Sequence, residues 1–393
     1  MIKITRPENC CGCSACAQRC PKQCITMEED PEGFLYPRID LSKCIDCKLC
    51  EKVCPIINPN EDKQPLEIYA TINPDEETRK QSSSGGVFSL FATRIIQENG
   101  VVFGARFDEN WEVKHDYTET IEGLAAFRGS KYVQSRIEDA YQKAESFLKS
   151  GKKVLFSGTP CQIAGLKRFL RKDYDNLITV DFICHGVPSP KIWRHYLKAT
   201  CNQLAGGKDY EIKAINFRNK DKGWKKYNFS LSLNIKDEAN GKRYKEFCEP
   251  AGNNAYMKGF LGDLYLRPSC HYCAVKSGKS GSDITIADHW GVQKQNPSLD
   301  DGKGVSLAFY NTPKGSLYKL PSDTPLSYQE AIKYNRAAVK SYKAHRKRNL
   351  FFQKFNESGT DMATLVSQLT KETITAKAIR LTKRIIIKII RKS

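Results

Sequence analysis

Apolar and polar positions along this chain fall into three textures, and the middle one carries most of the secondary structure. Behind the polar-glycine run Ser82-Ser83-Ser84-Gly85-Gly86, apolar residues from Val87 to Ile96 predict a helix. Val101-Val102-Phe103-Gly104-Ala105 predicts a strand, and residues 137–148 a helix. Val154 to Cys161 reads as a buried strand running into a turn, with a helix over 162–170. Leu177 to Ile183 is a second buried strand, ending at Cys184-His185-Gly186. Trp224 to Asn234 alternates with a period of two, and Asp283 to Gly291 reads as a strand and turn. Strands alternating with helices predict an α/β core with parallel strands. Ligands of such cores sit beyond the carboxyl ends of strands, where Cys161 and Cys184 fall.

The first texture is dense in cysteine. Ten of the 16 cysteines lie at or before Cys54. Cys10, Cys13, Cys16 and Cys20 precede Pro21, and Cys44, Cys47, Cys50 and Cys54 precede Pro55. Both read C-x2-C-x2-C-x3-C-P. Three closely spaced thiolates can wrap three irons of a cubane, and the fourth cysteine ligates the neighbouring cluster in two-cluster ferredoxins. The expected sets are Cys10, Cys13, Cys16 and Cys54 for one [4Fe–4S] cluster, and Cys44, Cys47, Cys50 and Cys20 for the other. Cys11 and Cys24 fall outside the pattern. Zinc, the alternative, pairs C-x2-C knuckles at longer separation and does not fit two runs ending in proline. A disulfide framework belongs to small secreted chains, which this 393-residue chain does not resemble. The segment Pro59 to Pro65, polar with two prolines and three charges, reads as a linker.

Four further cysteines stand at chemically suggestive places. Cys161 and Cys184 follow strands, and Cys270 and Cys273 form a C-x2-C knuckle. Together they suit a third [4Fe–4S] cluster or a zinc ion, with ordinary buried thiols as the plain alternative. Serines and glycines ahead of the 87–96 helix leave backbone N–H groups free to receive a phosphate.

These stretches carry a family resemblance. Ser82–Ser89, Lys131–Ser135, Ser157-Gly158-Thr159-Pro160-Cys161-Gln162, Cys184-His185-Gly186-Val187-Pro188, Arg267–Cys273 and Asp288-His289-Trp290-Gly291 resemble the coenzyme F420 hydrogenase/dehydrogenase beta subunit family. The resemblance runs from Cys10 to about residue 310. It implies an FAD-binding iron–sulfur subunit that passes a hydride between a deazaflavin, or another two-electron partner, and FAD. Electrons then go singly to clusters, one of them on Cys161, Cys184, Cys270 and Cys273. The implied flavin contacts are Ser84, Gly85, Gly86, Lys131, Tyr132, Gly158 and Thr159. Lys131 is the candidate to stabilise negative charge on reduced flavin, and His185 the candidate to carry a proton. The organic substrate is left open. The alternatives are an electron-transfer subunit that feeds a partner enzyme, and a ferredoxin-driven reductase of another substrate.

The expected architecture is α+β and multi-domain. A bacterial-type two-cluster ferredoxin fold occupies 1–58, and an α/β flavin-binding core occupies 66–310, divided near 145. A basic helical tail covers 340–393. The net charge of +19 is concentrated towards that tail. Over 376–393 isoleucines gather on one helical face and basic residues on the other, the pattern of a helix lying in a membrane interface or packing on a protein surface. No stacking aromatics are interleaved there, so nucleic acid is not an expected partner. Soluble ferredoxin or a partner redox enzyme is. No apolar run reaches about 18 residues and no signal-type segment opens the chain, which predicts a cytoplasmic protein with optional peripheral contact at the inner membrane face.

Overall fold

The computed structural model of the chain describes residues 1–237, 241–320, 322–357 and 359–371. Its first 58 residues are built twice over. Helix α1 (Ala15–Gln18) holds Cys16, strands β1 (Ile25–Glu29) and β2 (Leu35–Ile39) pair antiparallel, and helix α2 (Leu49–Lys52) holds Cys50. Each short helix is entered through a left-handed residue one place after a cysteine: Ser14 at φ 60° and Lys48 at φ 59°. Such a conformation is disfavoured for residues with a Cβ. Its recurrence at matching places gives the two cysteine runs the same curl.

The body follows as strand β3 (Glu67–Thr71), helices α3 (Glu76–Gln81) and α4 (Val87–Gln97), and the hairpin β4 (Val101–Phe107) and β5 (Val113–Thr118). Helix α5 (Ala140–Lys149), strand β6 (Val154–Ser157), helix α6 (Pro160–Leu170) and strand β7 (Leu177–Phe182) come next. Helix α7 (Pro190–Ala205) leads to a separate antiparallel sheet of β8 (Tyr210–Asn219), β9 (Asn228–Asp237) and β10 (Gly241–Pro250), followed by helix α8 (Ala255–Leu261). Strands β11 (Ile284–Asp288), β12 (Ser306–Tyr310) and β13 (Thr324–Pro325) then return to the first sheet. That sheet has eight strands in the order β13-β3-β12-β11-β7-β6-β4-β5.

Strands β4, β6, β7 and β11 run parallel, and β12 lies antiparallel between β11 and β3. The carboxyl ends of β3, β4, β6, β7 and β11 therefore point to one edge. Their composition follows from burial on both faces. Val101, Phe103, Val154, Phe156 and Leu177 pack with α5 and α6. Val102, Leu155, Ile178, Val180 and Ile284 face α4 on the other side. Helix α6 begins at the end of β6 because Thr159 and Gln162 form a capping box and Pro160 occupies the first turn.

The α/β pattern with parallel strands is the observed one, with shifts at its edges. The strand foreseen from Trp224 starts at Asn228, because Trp224 turns inward to stack on Trp290 at a ring distance of 4.9 Å. The sheet also reaches beyond residue 310, through β13. Of the basic tail, residues 348–355 and 362–370 form helices whose Phe351, Phe352, Phe355, Leu365, Val366 and Leu369 pack into the core around α7, α8 and the three-stranded sheet. Arg348 ties them to the N-terminal domain through Glu32 and the Leu266 carbonyl. The amphipathic stretch 376–393 lies outside the described residues. Among the described residues no helix is long and apolar enough to cross a membrane.

Candidate iron–sulfur and cofactor site

The two cysteine runs cross in space. Cys16 lies close enough to Cys10 and Cys54 to feel their charge, and burial, then those neighbours, push its thiol up to about 12. Cys13 is raised as well, with Cys16 and Cys54 among the causes. Cys20, Cys44, Cys47 and Cys50 line a single pocket with Cys24, Ile25 and Ile39. The Ile2 N–H donates to the Cys50 sulfur at 3.2 Å. This is the grouping that the crossed ligand assignment uses. Cys24, outside the motif, sits in the same pocket with its sulfur 3.3 Å from that of Cys20. Cys47, Leu41 and Ile45 are exposed, so this set opens to the surface.

The body cysteines converge from three elements. Cys161 sits in the first turn of α6, Cys184 just after β7, and Cys270 and Cys273 on the short helical turn Pro268–Tyr272 and its end. Cys184 feels Cys270, Cys161 and Cys273, although burial is the larger cause that pushes its thiol up. The Val187 N–H donates to the Cys270 sulfur at 3.4 Å, and the Thr159 hydroxyl lies 3.2 Å from the Cys161 sulfur. Cys11 belongs to neither N-terminal set, yet it neighbours both Cys13 and Cys161, and Cys13 together with burial raises its thiol. It thus stands between the first set and the body set. Among the described residues no group of three or more cysteine, histidine or carboxylate side chains is drawn together around a single-ion site. The donor chemistry of the sets, cysteine sulfur alone, suits an iron–sulfur cluster, and for the body set a zinc ion as well.

Close packing fixes the first set against the body. A Cβ on Gly165 of α6 would lie 2.9 Å from the Cβ and sulfur of Cys13 and 3.0 Å from the Tyr141 hydroxyl. We expect Gly165→Ala to cost about 1–3 kcal/mol and to lower metal retention by the first set. Thermal denaturation and iron content of the loaded variant, measured beside the parent chain, test this.

The residues anticipated as flavin contacts divide into two groups. The loops 82–86 and 128–132 meet directly, with the Ser130 N–H donating to the Ser83 hydroxyl at 2.6 Å. Behind them, α4 begins at Gly86 with no side-chain cap. Lys220 holds the first loop by donating to the carbonyls of Arg79 and Ser84. Ser84 itself donates to the Val305 carbonyl. Gly85 packs so tightly that a Cβ would meet Thr71 and Ser306 backbone atoms within 2.7 Å. Gly158 and Thr159 lie at the end of β6, where Thr159 spends its hydroxyl on its own helix cap and on Cys161. Thr159 thereby touches the body cysteines, and Gly158 packs against Gln162 and His115.

The Lys131 ammonium donates to the carbonyls of Arg128 and Gly129. Burial, with a smaller push from Arg106, lowers it to about 7. His185 is held by Asp263, whose Oδ1 is 2.7 Å from its Nε2, and by the Tyr342 ring at 4.2 Å.

Three features had no signal in the sequence. Buried His115 lies 3.0 Å from both the Ser157 carbonyl and the Ser135 hydroxyl, and supports the turn after β6. Burial lowers it to about 4, so it is neutral. Buried Arg218 donates to Asp288 through Nη1 but leaves Nε and Nη2 unpartnered, and the Thr71 hydroxyl behind Gly85 is unpartnered too. Buried N–H groups of this kind suit an anionic ligand. The third, Arg267, is buried where the N-terminal domain meets the body.

Parts of the chain match known proteins. Residues 9–56 match the family described as a 4Fe-4S dicluster domain, which supports iron–sulfur clusters on its cysteines. Residues 151–318 match the family described as the C terminus of the coenzyme F420 hydrogenase/dehydrogenase beta subunit. The chain is 28% identical over 168 residues to the coenzyme F420-dependent sulfite reductase of Methanocaldococcus jannaschii, covering 40% of this chain and 25% of that protein. It is 49% identical over 55 residues to the DNA-directed RNA polymerase subunit Rpo3 of Methanosarcina mazei, covering 14% of this chain and 20% of that protein. The chain thus spans a quarter or less of the length of these curated relatives. Among solved structures, a chain of the F420-reducing [NiFe] hydrogenase complex from Methanosarcina barkeri matches with a TM-score of 0.40 and 16% identity, covering 78% of this chain and 90% of that one.

Proposed function

We propose that the chain is an iron–sulfur flavoprotein oxidoreductase. It moves electrons between a two-electron partner, such as reduced coenzyme F420, and [4Fe–4S] clusters, with FAD between them. One observation carries this reading. Cysteines gather in three groups between the edge of the sheet and the surface, with Cys11 near both Cys13 and Cys161, and Cys47 exposed.

In this reading Cys161, Cys184, Cys270 and Cys273 hold the cluster nearest the sheet. Cys10, Cys13, Cys16 and Cys54 hold the next, and Cys20, Cys44, Cys47 and Cys50 hold the last. Bound FAD supplies the conversion of a hydride pair into single electrons. The chain's own residues do the rest. The loops around Ser84–Gly86 and Lys131–Tyr132, together with the free N–H groups of Arg218, bind its anionic parts. Gly158 and Thr159 separate it from Cys161. Tyr132, whose ring lies 4.7 Å from that of Phe260 in α8, borders the site. His185, next to Cys184 in the chain, is fixed by Asp263. The exposed apolar Leu41 and Ile45 beside Cys47 offer the contact for a ferredoxin or partner enzyme. The same core would serve the F420-dependent sulfite reductase relative's chemistry or another hydride partner, so the test uses F420 as the first probe.

Lys131 gives this reading a pH dependence. Its ammonium is protonated below about 7 and neutral above. FAD affinity of the chain is therefore expected to fall severalfold as pH rises from 6 to 8.5, and Lys131→Met to remove most of that slope. Equilibrium titration of FAD fluorescence at several pH values checks both. A wild-type affinity that is flat across this range takes Lys131 out of the site, and a chain that binds no FAD removes the flavin reading.

A further inference from the structure

Arg267 is fully buried. Its three donor positions all end on neutral oxygens. Nε donates to the Cys10 carbonyl at 2.8 Å, Nη1 to the Gln134 side-chain oxygen at 3.0 Å, and Nη2 to the Leu35 carbonyl at 2.9 Å. The guanidinium lies 4.4 Å from the Tyr36 ring centre and 5.4 Å from that of Phe34. Among the described residues no carboxylate pairs with it. A buried cation without a counter-charge is strongly destabilising, and arginine does not escape by losing its proton.

The groups near it that can carry negative charge are cysteines and Tyr36. Arg267 lies against Cys10 and Cys11 of the first run, and its own carbonyl accepts from the Cys270 N–H at 2.9 Å. A Cβ on Gly12 would fall 2.7 Å from Nη1, so the loop between Cys10 and Cys13 is seated directly on the guanidinium. Gln134 completes the clamp by donating to the Cys11 carbonyl at 3.0 Å.

We propose that Arg267 is the shared counter-charge of the first thiolate set and the body set, a positioning residue that raises the reduction potential of both clusters relative to the third, surface-facing one. The proposal rests on the cluster reading of those sets. Reduction adds one negative charge to a cluster, and a fixed buried cation beside it favours the reduced form. No proton accompanies the transfer, because the guanidinium keeps its charge throughout. The second set, whose pocket is lined by other residues, is the internal control.

The test is a redox titration of the reconstituted full-length chain, followed by electron paramagnetic resonance, with iron and sulfide content measured in each variant. Arg267→Gln, loaded with clusters, is expected to lower the potentials of the first and body clusters by at least one tenfold step in the reduction equilibrium, ~59 mV for a one-electron couple. The surface cluster should not move, and Arg267→Lys should restore most of the shift. A loaded Arg267→Gln chain with unchanged potentials, or with all three clusters shifted equally, overturns the proposal. Where Arg267→Gln does not load, Arg267→Lys decides. It keeps the charge and loses the fork, so wild-type potentials support the proposal and a full tenfold step downward overturns it. A wild-type chain that binds no cluster overturns the cluster reading and this proposal together.

Discussion

Replacing Cys270 by alanine is expected to remove about four irons per chain and to leave the metal held by the first 58 residues in place. The expectation follows from geometry. Cys270 lies at the meeting point of Cys161, Cys184 and Cys273, and its sulfur accepts from the Val187 N–H. Removing it leaves three thiolates that come from α6, the end of β7 and the turn after Arg267. A set reduced from four thiols to three is expected to lose its cluster. Metal analysis together with visible absorption measures the effect. Loss of about one zinc with iron unchanged would put zinc on these four cysteines instead. An unchanged metal content would make them ordinary core thiols.

Trp193→Ala is expected to be the most destabilising single change in the body, at about 3–5 kcal/mol. Trp193 is buried among Phe107, Tyr196, Phe217, Phe229 and Tyr256, with ring distances between 5.0 and 6.4 Å. Its indole N–H donates to the Trp111 carbonyl at 2.7 Å, so the substitution also leaves a buried acceptor unpaired. The effect reaches the site. Helix α7 starts at Ser189, five residues after Cys184, and the Ser189 hydroxyl donates to the Glu32 carbonyl of the N-terminal domain. Chemical denaturation of the loaded chain measures the loss of stability. A change below about 1 kcal/mol would mean that the aromatic cluster does not hold α7 and the three-stranded sheet together.

How far the sequence could be read depended on how local each signal was. The cysteine runs were legible because a cubane-binding loop is set by spacing over a few residues, and the same holds for the strands at 101–107, 154–157 and 177–182, whose apolar runs are buried on both faces. Cys270 and Cys273 showed as a knuckle, but nothing local tied them to Cys161 more than 100 positions away. Cys11 looked redundant because its partner, Cys161, belongs to the body. Arg267 gave no sign, since an arginine in a turn ordinarily faces water and only the docked N-terminal domain buries it. The helices at 348–355 and 362–370 were submerged in the basic composition of the region, although their phenylalanines and leucines pack inward. Thr159 was legible as part of a turn but not as a partner of Cys161, because its hydroxyl direction follows from the capping of α6.

The most direct test of the central claim is an anaerobic spectral titration of the reconstituted chain, with FAD added, against reduced coenzyme F420. The account predicts that flavin and cluster absorbance bleach together at stoichiometric reductant, and that omitting FAD prevents cluster bleaching. A spectrum that stays oxidised with the coenzyme, yet bleaches with reduced ferredoxin, would contradict the hydride partner. Cluster bleaching that needs no flavin would contradict the flavin's place between the two.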